Sequence, residues 1–241
     1  MRASMGLRSL AVAALALGAP AFADFHFMKV VEVFPGAAAS PNAQYVVLQM
    51  WTGGQTNVGG HGVTVHAANG DVIDTVIFGN GVGNGATQDK ILVATDEAAS
   101  FFNLTADFEL DVPLPLAGGK VCFDAIPVDC FAWGNYVGSS TGVGTPFGQP
   151  NPFPQGRAAT RRLDITGNPT TLDEFDDTDQ SASDFLSRLP TPRNNARVTG
   201  TIPPSTCGNG VLEGLEQCEA GVGCSTTCTF DADALFFNSF E

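Results

Sequence analysis

The chain has 241 residues, a formal net charge of −14 and a composition that is 44% hydrophobic but only 15% charged. That length holds one large β domain, or one domain and a small module. So acidic a chain repels phosphate backbones, which argues against nucleic acid as a partner.

Residues 1–23 read as a secretory signal. Arg2 and Arg8 supply the charged start, Leu10 to Leu17 is a short apolar run, and Ala21-Phe22-Ala23 is a small-x-small cleavage site before Asp24. The apolar run is too short to span a bilayer, and no later stretch is long and apolar enough. The expected mature protein is therefore secreted or at the cell surface, without a transmembrane segment.

The chain's 28 glycines and 15 prolines suit short strands joined by turns. Phe27 to Phe34 reads as a first strand, stopped by Pro35-Gly36. Gln44 to Trp51 is a second, Gly62 to Ala67 a third and Val72 to Phe78 a fourth, with Asn69-Gly70 as the turn between the last two. Lys90 to Ala94 is a fifth. Thr95 to Phe102 fits a short helix, with Thr95 as its cap and Asp96 and Glu97 at its positive end.

The most informative stretch runs from Gly118 to Gly134 and reads as strand, tight turn, strand. With the turn at Ala125-Ile126-Pro127, Val121 faces Phe131 and Cys122 faces Cys130, close enough for a disulfide. The pleat then sends Val121, Phe123, Phe131 and Trp133 to one face, where they can seat a core. Two free buried cysteines are the alternative. Strands recurring at this spacing predict an all-β chain, an antiparallel sandwich of the immunoglobulin type.

Residues 137–156 are rich in Gly, Ser, Thr and Pro and read as a long surface loop. Arg157, Arg161, Arg162, Arg188, Arg193 and Arg197 follow, interleaved with the acids between Asp173 and Asp184. So polar a segment is expected across the outside of the sandwich. Ser181-Ala182-Ser183-Asp184 before Phe185 has the form of a capping box for one or two helical turns. An extended segment docking Phe185 into the core is the alternative.

The main domain is expected over 24–198 and a stiff linker over 199–206. Cys207, Cys218, Cys224 and Cys228 then crowd a mini-module, 207–230, too small for an apolar core and held by disulfides. Four cysteines allow three pairings, and the sequence does not choose among them. Residues 231–241 form an acidic, aromatic tail.

Few residues point to reaction chemistry. Gly138-Ser139-Ser140-Thr141-Gly142 has the Gly-x-Ser-x-Gly form, but the Gly-Val-Gly-Thr-Pro that follows cannot start the helix a nucleophile elbow needs. His61 and His66 are five apart, which on a strand places them on opposite faces, and no neighbouring cysteine or acid completes a zinc set. Both are expected at the surface. Gly79 to Gly85 lacks the spacing of a phosphate-binding loop.

The candidate site is acidic. Asp173, Glu174, Asp176, Asp177 and Asp179 present several hard oxygens, the chemistry calcium requires. An EF-hand template starting at Asp177 fails, with Ala182 where glycine is needed and Arg188 where glutamate is. The alternative to calcium is a solvated acidic loop paired to Arg161 or Arg162.

Val30-Val31-Glu32-Val33, Gln44-Tyr45-Val46-Val47-Leu48, the 118–134 hairpin, Ala159-Thr160-Arg161-Arg162, the run from Asp176 to Phe185 and Pro192-Arg193-Asn194-Asn195 together resemble a bacterial secreted lamin-tail-like domain. The acidic residue usual in that family's second strand is missing from Tyr45-Val46-Val47-Leu48. The run from Cys207 to Cys218, with Cys224 to Cys228, resembles the cysteine-rich repeat of myxobacterial surface proteins. The ending Leu235 to Glu241 is similar to a short Phe-x-x-x-Phe-Glu terminus of exported bacterial proteins. These resemblances imply an immunoglobulin-type sandwich and a non-enzymatic role in adhesion, scaffolding or binding to a surface protein or glycan. A calcium-dependent carbohydrate- or surface-binding module is the second expectation, and an extracellular hydrolase the third.

Overall fold

The computed structural model describes residues 25–124, 128–219, 221 and 223–230. The expected signal segment 1–23, the turn at Ala125-Ile126-Pro127 and the tail 231–241 lie outside the described residues. Among the described residues ten strands form two sheets: β1 (Met28–Phe34), β2 (Tyr45–Met50), β3 (Gly62–Ala67), β4 (Val72–Ile77), β5 (Lys90–Ala94), β6 (Phe108–Glu109), β7 (Gly118–Phe123), β8 (Asp129–Gly134), β9 (Ala158–Arg161) and β10 (Phe185–Arg188). The larger sheet runs β10-β9-β1-β2-β5-β6 and the smaller β4-β3-β7-β8. All neighbours are antiparallel except the two-residue contact of β5 with β6. The all-β sandwich expected from strand spacing is the observed architecture.

The main core lies between the sheets. Val30, Val33, Val46, Leu48, Ile91 and Val93 from the larger sheet meet Val63, Val65, Val121, Phe123, Phe131 and Trp133 from the smaller. A second core covers the other face of the larger sheet, where Phe34, Tyr45, Val47 and Leu92 pack against Ala98 and Phe102 of the α1 region. Helix α1 is Asp96–Phe101, and Thr95 caps it by accepting from the Ala98 amide at 3.1 Å. A sheet covered on both faces explains why Val30-Val31 in β1 and Tyr45-Val46-Val47-Leu48 in β2 are apolar without alternation. In β1 the register shifts between Val30 and Glu32.

The β7–β8 hairpin has the expected register. Val121 opposes Phe131 and Cys122 opposes Cys130, and the two cysteines are bonded. Val121, Phe123, Phe131 and Trp133 are fully buried, and the Trp133 indole donates to the Pro115 carbonyl at 2.8 Å.

The segment after Arg157 corrects the expectation of an external polar cover. β9 pairs with β1, β10 pairs with β9, and Arg161 is 3% exposed. Burial of this arginine is tolerated because carboxylates arrive with it. Both readings of the 181–189 stretch hold in part: Ser181–Asp184 form a single helical turn, α2, and Phe185 then enters the core at the start of β10. The cap differs, since Gln180 holds the N-cap position without a side-chain bond and the Asp184 carboxylate accepts the Gln180 amide instead.

Asn194 and Asn195 fasten the end of the domain. The Asn195 amide donates to Asp107, and its side chain bonds Asn84 and the Lys90 carbonyl. In the C-terminal module Cys207 is bonded to Cys228 and Cys218 to Cys224, which resolves the three pairings left open by the sequence. Leu215 of the module packs against the second core, and the Gln217 side chain donates to the Gln155 carbonyl.

Candidate functional site

The five acids of the 173–179 loop do not converge on one point. Asp176 is fully buried and accepts the Asp173 amide at 2.9 Å. Asp173 accepts the Thr166 hydroxyl and the Phe175 amide. Glu174 and Asp179 are exposed. Asp177 turns inward to Arg161 at 3.0 Å and Lys29 at 2.9 Å.

Around Arg161 the fold builds a buried charge knot. Its guanidinium bonds Asp129 of β8 at 2.9 Å, the Val30 carbonyl of β1 at 2.8 Å and the Asp176 carbonyl at 3.3 Å, and its plane lies 4.7 Å from the Phe185 ring. Asp184 stands 4.0 Å from it and accepts from the Thr178 amide and hydroxyl. Three carboxylates thus face two cations, and one proton restores neutrality. Burial pushes Asp129 up to about 7, against the pull of Arg161 and with the repulsion of Asp177 added. Burial acts on Asp177 in the same sense, but Arg161, the hydrogen bond shared with Asp129, and Lys29 hold it well below the usual carboxylate range. Of these two carboxylates, Asp129 is therefore the one that takes up a proton more readily. Every partner of this knot is structural, and it joins both sheets to the 162–184 segment.

The outer face of the smaller sheet is different. Register places Ile77, Gly62 and Asp124 in one row, Thr75, Thr64 and the Cys122–Cys130 bridge in the next, and His66 beside Lys120 in a third. With Ser139 and Thr141 from the following loop these rows line a groove of about 470 Å³. The groove brings a serine, a histidine and an aspartate together, but they are not wired for relay. His66 Nδ1 bonds the Gly70 carbonyl, Asp124 bonds His61, and the Ser139 hydroxyl accepts from the Thr141 amide. A nucleophile, its base and the orienting acid need mutual hydrogen bonds, and these three make others. The two histidines are partly buried rather than plainly exposed, and Phe25 stacks on His61 at 3.3 Å.

Strand β4 forms one edge of this sheet and exposes Val72, Ile73 and Ile77. The opposite edge, β8, is closed: the Ala132 amide donates to Ser181, Phe147 donates to the Ala132 carbonyl, and Gly134 donates to the Phe147 carbonyl. On β4, Phe78 donates to the His61 carbonyl, so strand alternation turns the amides of Ile77 and Thr75 away from β3. The Asp74 carboxylate takes the Thr75 amide through one oxygen, and its other oxygen is buried without a partner. Sequence reasoning gave β4 its place, but the open edge follows only from sheet order.

No protein-family model, no curated protein and no solved structure matches this chain. Among the described residues no helix is long and apolar enough to cross a membrane, and the three disulfides are compatible with an oxidising, extracellular setting.

Proposed function

We propose that the protein is a non-enzymatic, secreted or cell-surface binding protein, and that it takes an extended polypeptide segment of a partner as an added strand along β4. The edge position of β4 carries this reading: the outward Ile77 amide lies beside exposed Val72, Ile73 and Ile77, and the outward Thr75 amide is held only by its neighbour Asp74. Main-chain bonds to such an edge supply affinity, and pockets for alternate side chains supply selectivity. The net charge of −14 and the half-satisfied Asp74 carboxylate favour a segment bearing lysine or arginine. The lamin-tail-like and cysteine-rich resemblances support the same scaffold role, and the uncoupled Ser139, His66 and Asp124 count against hydrolysis.

Selection from a displayed library of random linear peptides tests it. Peptides with alternating β-branched residues and at least one basic residue are expected. Their binding should weaken with salt and disappear in the Asp74→Lys, Ile77→Lys double variant. Failure to recover any binding peptide, or binding that the double variant leaves intact, overturns the proposal.

A further inference from the structure

The C-terminal module holds two carboxylates whose inner oxygens have no donor among the described residues. Glu216 is 4% exposed. One of its oxygens accepts the Glu213 amide at 3.0 Å, and the other, Oε1, is buried with no partner. Glu219 repeats the pattern. Its Oε2 accepts the amides of Gly208 and Gly210 at 3.0 and 3.1 Å, and its Oε1 is buried with no partner. Gly208 and Gly210 hold φ of +88° and +83°, a region open to glycine, and their two amides meet on one carboxylate oxygen. A ligand oxygen of each glutamate and the Cys228 sulfur lie within 4.8 Å of one another.

Nothing in the module offsets this charge, since the sequence contains no lysine, arginine or histidine after Arg197. No ion pair reaches either glutamate from the described part of the sandwich. Two carboxylates that approach within 4.8 Å, each with one buried and unpaired oxygen, are unfavourable unless a cation or a proton joins them. The sulfur does not select a soft metal, because Cys228 is bonded to Cys207 and offers no thiolate. The remaining donors are hard oxygens. Calcium binds these at about 2.3–2.6 Å, so one ion spans oxygens up to about 5 Å apart, whereas the shorter bonds of magnesium span about 4 Å.

We propose that the carboxylates of Glu216 and Glu219, each with an unpaired Oε1, bind a calcium ion that cross-braces the C-terminal module. With only two carboxylates the site falls in the weak range of extracellular modules, a Kd of about 10⁻⁴–10⁻³ M. The ion ties the 208–210 turn, through Glu219, to the 213–216 turn, through Glu216, and so adds a third brace to the two disulfides.

Calorimetric titration of the full, oxidised protein with calcium chloride tests this, with magnesium chloride as the comparison. The wild type should bind calcium more tightly than magnesium. Binding should vanish in Glu216→Gln and in Glu219→Gln and persist when Asp173, Glu174, Asp176, Asp177 and Asp179 are exchanged for their amides. Peptide mapping without reduction confirms in each variant that the Cys207–Cys228 and Cys218–Cys224 bonds have formed. The wild-type titration needs no variant to be decisive: no heat at millimolar calcium overturns the site in favour of a shared proton. Binding that survives both glutamine variants, or that is lost only with the loop acids, overturns it equally.

Discussion

The charge knot at Arg161 and the acidic pocket of the C-terminal module solve the same problem in opposite ways. In the knot, three carboxylates from β8, the 162–184 segment and α2 meet Arg161 and Lys29, so most of their charge is cancelled from within the fold and a single proton takes up the rest. In the module, two glutamates meet with no cationic side chain at hand. The sandwich has a core that can hold an arginine in place. The module has only disulfides and short turns, and its electrostatic balance must come from solution. A cluster that carries its own cations serves architecture, whereas one without them is open to a ligand.

The largest effect that separates the two is removal of the central cation. Arg161→Met should destabilise the sandwich by about 3–5 kcal/mol, because it leaves buried Asp129, Asp177 and Asp184 without their main partner. Urea unfolding followed by tryptophan fluorescence reads this directly, since Trp133 is buried in the adjoining core. A loss under about 1 kcal/mol would mean that the knot is not a structural centre.

The knot should also have a pH signature. Asp129 holds its proton to about 7 in the folded protein, against 3.8 as an ordinary aspartate. Between those values the folded state binds the extra proton, so this contribution is complete below about pH 4 and is lost as pH rises through 7. Asp177 acts in the opposite sense: its contribution is present above about pH 4 and is lost on further acidification. Stability should therefore peak in mild acid and fall by a few kcal/mol toward pH 8. Asp129→Asn should flatten the fall between pH 5 and 8 in a thermal-unfolding series, and an unchanged slope would place the proton elsewhere.

Disulfide removal sharpens the contrast from another side. Replacing Cys122 and Cys130 with alanine should lower sandwich stability by about 2–3 kcal/mol while keeping the hairpin register, because Val121, Phe123, Phe131 and Trp133 still select the inward face. Replacing Cys207 and Cys228 should release the whole module to proteolysis. Limited digestion with mass analysis distinguishes the two outcomes.

Much of the sandwich was legible because its strands carry local signals. Val72 to Phe78 stops within a residue of the observed β4, and the opposition of Cys122 to Cys130 follows from counting back from one turn. β9 was not legible, and β10 only as the alternative of an extended segment that docks Phe185. Ala158–Arg161 is short, and its closing arginine reads as surface until Asp129, from far earlier in the chain, is placed beside it. β6 is two residues long and pairs only through tertiary position. The acidic loop was visible as composition, but which carboxylates turn inward depends on where Arg161 and Lys29 lie. Glu216 and Glu219 gave no signal beyond the cysteine spacing, since their convergence depends on the disulfide pairing that the sequence leaves open.

The smallest expected effect is also the most discriminating, because it is a difference of sign. Asp177→Asn removes a carboxylate that two cations hold, and should destabilise the sandwich by about 1–3 kcal/mol. Glu216→Gln keeps an oxygen to accept the Glu213 amide but removes the repulsion with Glu219. In chelator-treated buffer it should leave the module unchanged or stabilise it by up to about 1 kcal/mol, since like charges this close repel even when partly screened. In millimolar calcium the sign should reverse, because only the wild type gains the ion. Hydrogen exchange at the Gln217 amide, which bonds the Cys228 carbonyl at 2.9 Å across the module, reports both conditions. Slower exchange for the variant with chelator and faster exchange with calcium is the expected pair. The same sign in both buffers would mean that the module's carboxylates are balanced as those around Arg161 are.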